Sequence, residues 1–210
     1  MRLVFLPLFL LLAAASAGAT AAADATPADL YRPCAACHGA DAGGNAALQA
    51  PRLNHLRPVY ILAQLDKFQR GLRGGEGATE AAQQMVTGVA LLPPRERWPD
   101  LALHISELAG GPSAATLTGG DPVLGGDYFN QFCGACHGPA AAGNVALSAP
   151  TLAGADDWYL AAQLHAFRDG RRGQHREDRT GRQMRSMAAV LPGEQAILDV
   201  IAFIRSQPAE

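Results

Sequence analysis

The feature that most constrains this 210-residue chain is an internal repeat with a fixed spacing of 99 residues. The shift carries the three residues Cys34, Cys37 and His38 onto identical residues near the middle of the chain, and no gap is needed over the whole span. Self-similarity at one period indicates copies of one structural unit. The further matched pairs are Asn45 and Asn144, Pro51 and Pro150, Leu53 and Leu152, Tyr60 and Tyr159, Gln64 and Gln163, Leu65 and Leu164, Phe68 and Phe167, Gly71 and Gly170, Gly74 and Gly173, Met85 and Met184, Leu92 and Leu191, and Asp100 and Asp199.

Both copies contain the pattern C-x-x-C-H, and the two motifs together use all four cysteines of the chain. This pattern is the attachment sequence for a c-type haem. On a helical turn, positions i, i+3 and i+4 share a face, so two thiols can reach the two vinyl groups of one porphyrin while the next residue lies under the iron. We therefore predict two covalently bound haem c groups, attached through Cys34, Cys37, Cys133 and Cys136, with His38 and His137 as iron ligands.

Two other uses of paired cysteines explain the pattern less well. A thioredoxin-like redox pair requires a βαβ context, and no strand pattern is found. A Cys₄ zinc site would have to join pairs that are 99 residues apart, and zinc gives no reason for a His after each pair. Because thioether bonds to haem would use all four thiols, we expect no disulfide.

The N-terminal residues have the pattern of a secretory signal. Arg2 supplies the positive charge, residues 3–15 are apolar and small residues follow, which predicts a signal peptide at residues 1–19 with cleavage between residues 17 and 25. An uncleaved anchor is the alternative, although the apolar run is shorter than the ~20 residues that span a bilayer. We expect a soluble or membrane-peripheral protein in the periplasm. The near balance of 17 basic and 19 acidic residues argues against a nucleic-acid partner.

Apolar residues recur at helical intervals along the whole chain. One example is the series Ile61, Leu65, Phe68 and Leu72. This periodicity predicts an all-α protein with two tandem domains, each wrapped around one haem. Residues 109–121 are rich in Gly, Ser, Thr and Pro and form the predicted linker. The domains are expected at about residues 24–112 and 113–210.

Three helix ends can be predicted from residues that typically begin helices. Asp156 or Asp157 is a candidate N-cap for the helix that reaches Phe167. The last helix is expected to start near Pro192. Its counterpart in the first domain contains Pro99, which predicts a helix that starts later, with Pro99 in its first turn.

The sixth ligand of each iron is predicted to be a methionine. Met85 lies 47 residues after His38, and Met184 lies 47 residues after His137. Methionine commonly fills this position in electron-transfer haems and raises the reduction potential. The remaining candidate, Met187, aligns with Gly88 and is expected to be a packing residue. The histidines without a His partner across the repeat are expected at the surface or in the core: His55, His104, His165 and His175.

In these motifs and spacings, the chain resembles the dihaem cytochromes c of the c4 type. The resemblance rests on the signal pattern, the two C-x-x-C-H motifs, and a Met seven residues before a Leu in each copy, Leu92 and Leu191. It implies two class I cytochrome c modules and a protein that carries electrons in the periplasm. It also implies that the Pro51 and Pro150 carbonyls accept a hydrogen bond from the proximal His, which would fix its tautomer.

An arginine-rich stretch precedes and includes the second methionine region. Seven arginines over residues 168–185 accompany only three acids. A solvated surface and a docking surface for an acidic redox partner are both consistent with this composition. The residues are Arg168, Arg171, Arg172, Arg176, Arg179, Arg182 and Arg185, with Asp169, Glu177 and Asp178.

These features favour a one-electron carrier between respiratory or dehydrogenase donors and a terminal acceptor such as an oxidase. A dihaem enzyme, of the peroxidase or thiosulfate dehydrogenase type, is the alternative, and it would need an open or displaceable sixth site on one haem. A third possibility is a carrier dedicated to one periplasmic dehydrogenase, which the sequence does not separate from the first. No catalytic residues are assigned.

Overall fold

The computed structural model describes residues 25–209, which form helices joined by loops. The N-terminal module comprises α1 (Pro27–His38), α2 (Pro58–Gln69), α3 (Glu80–Val89) and α4 (Trp98–Glu107). The C-terminal module comprises α5 (Pro122–Tyr128), a π-helical segment (Phe129–Cys133), α6 (Gly134–His137), α7 (Asp157–Arg168), α8 (Arg179–Ala188) and α9 (Glu194–Ser206). Short 3₁₀ turns lie at Ala46–Leu48, Arg95–Arg97 and Val145–Leu147. The described residues contain two isolated bridges and no strand, so the all-α prediction is confirmed. The predicted signal peptide lies outside these residues.

The first helix of the N-terminal module begins with a reciprocal cap. The Thr26 hydroxyl accepts a hydrogen bond from Asp29 N, and the Asp29 carboxylate accepts one from Thr26 N. Pro27 occupies the first turn, where its missing N–H has no intrahelical partner to lose. Gly39 ends the helix with φ of 82°, a conformation that L-residues with side chains rarely adopt. The helix thereby places His38 at its last position.

The corresponding helix of the C-terminal module is built differently. Asp121 caps α5 by accepting hydrogen bonds from the two amides at residues 123 and 124. Gly125 allows α5 to lie directly against α9, because a Cβ at this position would collide with the Asp199 carbonyl. The π-helical segment ends at Cys133, and Pro33 occupies the matching part of α1. Both copies therefore depart from regular α-helical hydrogen bonding just before the first cysteine of the motif.

The last helix of each module contributes several residues to its core. As predicted, α4 begins late, at Trp98 with Pro99 in its first turn, while α9 begins at Glu194, two residues after Pro192. Within residues 25–209, no helix combines the length and apolar character needed to cross a bilayer. The buried apolar residues of these cores include Leu30, Tyr31, Ile61, Leu101, Ala102 and Ile105 in the N-terminal module, and Phe129, Ile197, Val200, Ile201 and Ile204 in the C-terminal module.

The two acids predicted as N-caps of α7, Asp156 and Asp157, bind other segments of the chain with their side chains. Asp156 does occupy the N-cap position, but its carboxylate accepts hydrogen bonds from Arg52 N (2.8 Å) and Ser113 Oγ (2.5 Å) rather than from α7. Asp157 accepts from the backbone amides of Thr116 and Leu117 (2.6 and 2.8 Å). The prediction that one of these acids is the N-cap residue is therefore confirmed at Asp156, although its side chain makes no capping hydrogen bond. Both acids instead hold the linker, and Asp156 also holds the N-terminal module.

Candidate haem-binding sites

The end of α1 brings the first C-x-x-C-H motif together on one turn. Cys34 is partly buried, Cys37 is exposed and His38 is only 5% exposed. His38 Nδ1 lies 2.8 Å from the Pro51 carbonyl oxygen. A carbonyl can only accept, so Nδ1 must donate, and the lone pair is left on Nε2. The imidazole is thus prepared to bind a metal through Nε2.

The second motif repeats this geometry at the end of α6. Cys133 is partly buried, Cys136 is exposed and His137 is 4% exposed. His137 Nδ1 lies 2.9 Å from the Pro150 carbonyl oxygen. The two motifs therefore agree in thiol exposure, histidine burial and hydrogen bonding, although the helices that lead to them differ.

A tight loop after each motif sets the position of the proline carbonyl. Gly44 N donates to the His38 carbonyl, and Gly143 N donates to the His137 carbonyl. A Cβ on Gly44 would lie 2.6 Å from Arg52 N, and one on Gly143 would lie 2.5 Å from Thr151 N, so both positions require glycine. In each loop the glycine packs against the backbone around the proline, and this contact brings the proline carbonyl to the histidine.

Burial sets the protonation of these groups. Desolvation lowers the pKa of His38 and of His137, although the proline carbonyls act in the opposite direction. The imidazoles are therefore neutral at pH 7, as metal ligands must be. Burial also raises the pKa of the Cys34 and Cys133 thiols to about 11.

The two methionines occupy equivalent positions, each sixth in a ten-residue helix, α3 for Met85 and α8 for Met184. Both are half-buried. Met85 packs against a cluster formed by Phe68, Val89 and Trp98. That cluster and the one that contains Cys34 share three leucines, so thiol and thioether border the same apolar region: Leu62, Leu65 and Leu92.

The expectation that Met187 is a packing residue is wrong. Its side chain is 37% exposed on α8, three residues after Met184. The exposed position follows from helical geometry, because the neighbouring Ala188 occupies the buried side of this helix.

Comparisons with known proteins place these sites in a family. Residues 123–208 match the family model for cytochrome c. The chain is 37% identical over 161 residues to a thiosulfate dehydrogenase electron acceptor from Stutzerimonas stutzeri, an alignment that covers 74% of this chain and 72% of that protein. It is 32% identical over 171 residues to cytochrome c4 from Azotobacter vinelandii, covering 75% and 77%. The chain belongs to the c4-type dihaem cytochromes c.

Solved structures agree with this assignment. The reduced recombinant cytochrome c4 from Pseudomonas stutzeri superposes with a TM-score of 0.66 at 26% identity, covering 87% of this chain and 97% of that chain. A thiosulfate dehydrogenase (TsdBA) from Marichromatium purpuratum gives 0.68 at 26% identity, but this chain matches only 40% of it. The prediction of two tandem class I cytochrome c domains is confirmed, and this c4-type cytochrome carries two covalent haem c groups.

Sequence reasoning missed one buried and one partly buried arginine, Arg73 and Arg172, where the modules of this cytochrome meet. The Arg73 guanidinium donates to Gln64 Oε1 (2.8 Å) in its own module. It also crosses the junction to Tyr159 Oη (2.8 Å) and Gln163 Oε1 (3.1 Å). Arg172 makes the reciprocal set. The signal was available, because Arg73 and Arg172 are also related by the 99-residue shift.

The reciprocal contacts of Arg172 run in the opposite direction across the junction. Its guanidinium donates to Gln163 Oε1 (2.5 Å) in its own module. It reaches Tyr60 Oη (3.3 Å) and Gln64 Oε1 (3.2 Å) in the other. Each arginine therefore contacts a tyrosine and a glutamine that are matched pairs of the repeat, which gives the junction an approximate twofold character.

These two arginines suit a cofactor that carries carboxylates. Neither forms an ion pair with an acid among residues 25–209, and Arg73 Nε is buried there with no hydrogen-bond partner. Burial, together with the Arg172 cation, lowers the pKa of Arg73. Buried cations ordinarily have an anionic partner, because unpaired charge is costly to desolvate. Haem supplies two such groups through its propionates, so the residues present fit the cofactor.

The composition of the arginine-rich stretch predicted one exposed surface, but its arginines lie in different surroundings. Arg172 lies in the junction, Arg171 lies 2.6 Å from Asp169, and Arg176 lies 3.8 Å from Glu177. The other four arginines of this stretch lie outside the junction and have no ion pair with a carboxylate in the described part of the chain. We call them the basic face: Arg168, Arg179, Arg182 and Arg185. Three of them line a groove of about 660 Å³ beside α8.

Proposed function

We propose that this c4-type cytochrome is a periplasmic one-electron carrier between a respiratory or dehydrogenase donor and a terminal acceptor such as an oxidase. The observation that carries the proposal is the duplicated site, in which each module has a C-x-x-C-H turn, a buried neutral His and a matched Met. The bound haems supply the one-electron couple, and the protein sets its potential and orientation. The signal pattern at residues 1–19 supports export.

Within this function, the residues take distinct roles. The four cysteines form the thioether bonds, and the carbonyls of Pro51 and Pro150 orient the histidines. Arg73 and Arg172 neutralise the propionates at the junction. The axial pairs are His38 with Met85 and His137 with Met184. In the visible spectrum of the ferric protein, Met184→Ala is expected to remove about half of the weak red band from Met–iron charge transfer, whereas Met187→Ala, on the same helix, leaves it intact.

The domain boundary is proposed at residues 112 and 113. The Gly110 carbonyl accepts hydrogen bonds from Arg52 Nη2 (2.6 Å) and Asn54 Nδ2 (3.0 Å), which attaches it to the N-terminal module. Ser113 and Thr116 instead bind acids of the C-terminal module. The change of partner between residues 110 and 113 supports domains at residues 24–112 and 113–210.

The donor that we propose is a thiosulfate dehydrogenase. Two relatives bear the name thiosulfate dehydrogenase electron acceptor, from Stutzerimonas stutzeri at 37% identity and from Thiomonas intermedia at 34%. A Met at both matched positions favours a carrier over a dihaem enzyme, since an enzyme would need a displaceable sixth ligand on one haem. Thiosulfate together with a purified dehydrogenase should reduce both haems, and thiosulfate alone should reduce neither. Reduction by thiosulfate alone would make the chain itself the enzyme.

The basic face is the proposed docking surface for an acidic redox partner. Arg179, Arg182 and Arg185 project from one exposed stretch of α8, which also carries Met184. The matching residues of α3 are Glu80, Gln83 and Val86, so α3 has no such row of cations. Complementary charge accelerates encounter before contact is made, and its effect is screened over about 10 Å at 0.1 M salt.

An exchange between the modules tests the docking surface. The double change Arg179→Glu and Arg182→Gln gives α8 the residues of α3, and adding Glu80→Arg with Gln83→Arg restores the net charge. Stopped-flow electron transfer with the native partner should slow by roughly tenfold at low salt in both variants, because steering depends on where the charge lies. Unchanged rates, or full recovery in the fourfold variant, would show that these arginines are ordinary solvated surface.

A further inference from the structure

The helices that carry the two methionines begin with different caps. Thr79 caps α3 by accepting a hydrogen bond from Ala82 N (3.4 Å). At the matching position of α8, Asp178 accepts one from Gly181 N (2.9 Å). The Asp178 side chain is only 2% exposed. The C-terminal module therefore begins its methionine helix with a buried negative charge, whereas the N-terminal module uses a neutral hydroxyl.

The counter-charge for this cap comes from the other module. Lys67, in the last turn of α2, places Nζ 2.6 Å from Asp178 Oδ1 and 2.6 Å from Thr180 Oγ1. The Lys67 side chain is 17% exposed. A buried carboxylate is strongly destabilising when its partner is removed, since an uncompensated charge remains out of water. The start of α8 thus depends on a cation 111 positions earlier in the chain.

This contact has no mirror image across the junction. The residue that matches Lys67 in the C-terminal module is Ala166, and the residue that matches Asp178 is Thr79. The arginine pair at the junction is reciprocal, but the lysine contact runs in one direction. Hence α8 receives support from the N-terminal module, and α3 receives no equivalent support from the C-terminal module.

The surroundings of the cap make α8 sensitive to its loss. Arg179 and Arg182 lie in the first turn of α8, which has no acidic residue inside it, whereas α3 has Glu80 there. Positive charge near a helix N-terminus opposes the helix dipole, so the Asp178 carboxylate offsets a local excess. The cap is also closely packed, because a Cβ on Gly181 would collide with the Asp178 carboxylate.

We propose that Lys67 is a positioning residue for Met184, acting through Asp178 to hold the start of the helix that presents this sixth ligand. The inference rests on the proposed role of Met184 as an axial ligand. Met184 lies six residues after the cap, within two turns of it. The binding of Met184 to the iron therefore depends on a contact between the modules. The binding of Met85 does not, because the matching residues Ala166 and Thr79 form no such ion pair.

The test uses the full-length ferric holoprotein and exogenous imidazole, which competes with methionine for the sixth position. In a Met85→Ala background, the remaining red charge-transfer band reports the C-terminal module alone. Lys67→Ala in this background should lower the imidazole concentration that displaces half of the band by at least tenfold. In a Met184→Ala background, which isolates the N-terminal module, Lys67→Ala should change nothing.

Two further variants separate positioning from general loosening of the junction. Arg70→Ala removes another cation that crosses the junction, to Glu177 at 2.8 Å, but both side chains are 48% exposed and neither caps α8. It should shift imidazole displacement by less than twofold. The double change Lys67→Ala with Asp178→Thr replaces both residues by those at the matching positions of the repeat, Ala166 and Thr79. It removes the buried carboxylate together with its cation, and it should restore most of the resistance to imidazole.

The outcomes distinguish this inference from the proposed axial assignment. If Met184→Ala leaves the C-terminal band in place, the assignment of Met184 fails and the role of Lys67 fails with it. If Met184→Ala removes the band but Lys67→Ala behaves like Arg70→Ala, only the positioning role is overturned. A failure of Asp178→Thr to rescue would likewise exclude the cap as the route of action.

Discussion

The two modules of this cytochrome have the same haem-attachment turn but differ where they meet. The histidine-to-proline contacts agree within 0.1 Å, 2.8 against 2.9 Å. Three of the four buried acids of the C-terminal module have non-acidic counterparts in the N-terminal module: Asp156 matches Arg57, Asp157 matches Pro58 and Asp178 matches Thr79. All three bind the linker or a residue of the other module. The two modules therefore have the same haem-attachment site, whereas their contributions to the junction differ: the buried acids there belong to the C-terminal module.

Charge follows the same division. Apart from the reciprocal pair Arg73 and Arg172, the cations that cross the junction belong to the N-terminal module: Arg52, Lys67 and Arg70. The groups that receive them are a carbonyl and two acids of the C-terminal module. With the exception of Arg172, the C-terminal module therefore turns acids towards its neighbour and arginines towards solvent. A repeat that folded as two independent units would have no reason to distribute its charges in this way.

Removal of one haem should produce the largest difference between the two modules. Cys133→Ala with Cys136→Ala should abolish covalent attachment in the C-terminal module, because His137 alone holds a porphyrin only reversibly. The apolar residues around Leu152 and Leu164 would then lose the ring that they are expected to pack on. Haem staining and absorbance should fall by about half, and limited proteolysis should cut the C-terminal module while the N-terminal module persists. Equal resistance of both halves would contradict haem-dependent folding of separate modules.

The reciprocal arginines should give an intermediate and symmetric effect. Arg73→Met and Arg172→Met each remove charge-assisted hydrogen bonds at the junction, worth about 1.5–3 kcal/mol apiece. We expect each change to lower the free energy of unfolding by about 3 kcal/mol, measured by denaturant titration of the holoprotein. Arg70→Met, an exposed pair, should cost less than about 1 kcal/mol. A large difference between the two arginines would show that the junction is less symmetric than its contacts.

The smallest expected effect concerns Asp157, which has no acidic counterpart. Burial alone would raise the pKa of Asp157, but hydrogen bonds from Leu117 and Thr116 outweigh it and the pKa is lowered. The charged form is thus favoured by folding. Asp157→Asn should cost about 1–2 kcal/mol near neutral pH, where the contribution is fully present above the ordinary carboxylate pKa of about 3.9.

The pH dependence provides the check on Asp157. A group with a lowered pKa in the folded state loses its stabilising contribution as pH falls through that folded value. Unfolding curves of the wild type and Asp157→Asn should therefore converge in strongly acidic solution. Asp127→Asn, an exposed position of the same module, should stay within about 0.5 kcal/mol of the wild type at every pH. A gap that persists in acid would mean that lost packing, not charge, explains the change.

Much of the fold could be predicted because it is periodic. The helical class, the late start at Trp98 and the buried face of α9 all follow from apolar spacing and from Pro99. The close packing of α5 against α9 through Gly125 could not be predicted, since it depends on where the two helices meet. The π-helical segment at Phe129–Cys133 likewise has no signature in the residue pattern.

The roles of charged residues were the least predictable. Arg172 was expected on an exposed surface but is partly buried in the junction, and the acids at the start of α7 bind the linker instead of making side-chain capping hydrogen bonds. Composition identifies a charge but not its partner, and partners here are separated by about 40 to 110 residues. The matched pair of Arg73 and Arg172 was visible in the repeat, yet only the junction showed why both are present.

The sequence by itself determined the chemistry of this protein: two haem-attachment turns, each with a histidine as its last residue, and methionines at equal spacing. It could do so because thiols at i and i+3 and an imidazole at i+4 share a helical face wherever that helix lies. Only the tertiary structure decided which cations and acids are buried, and hence that Lys67 reaches the helix of Met184. The physical reason is that desolvation of a charge depends on every segment packed around it, and those segments are distant in the chain.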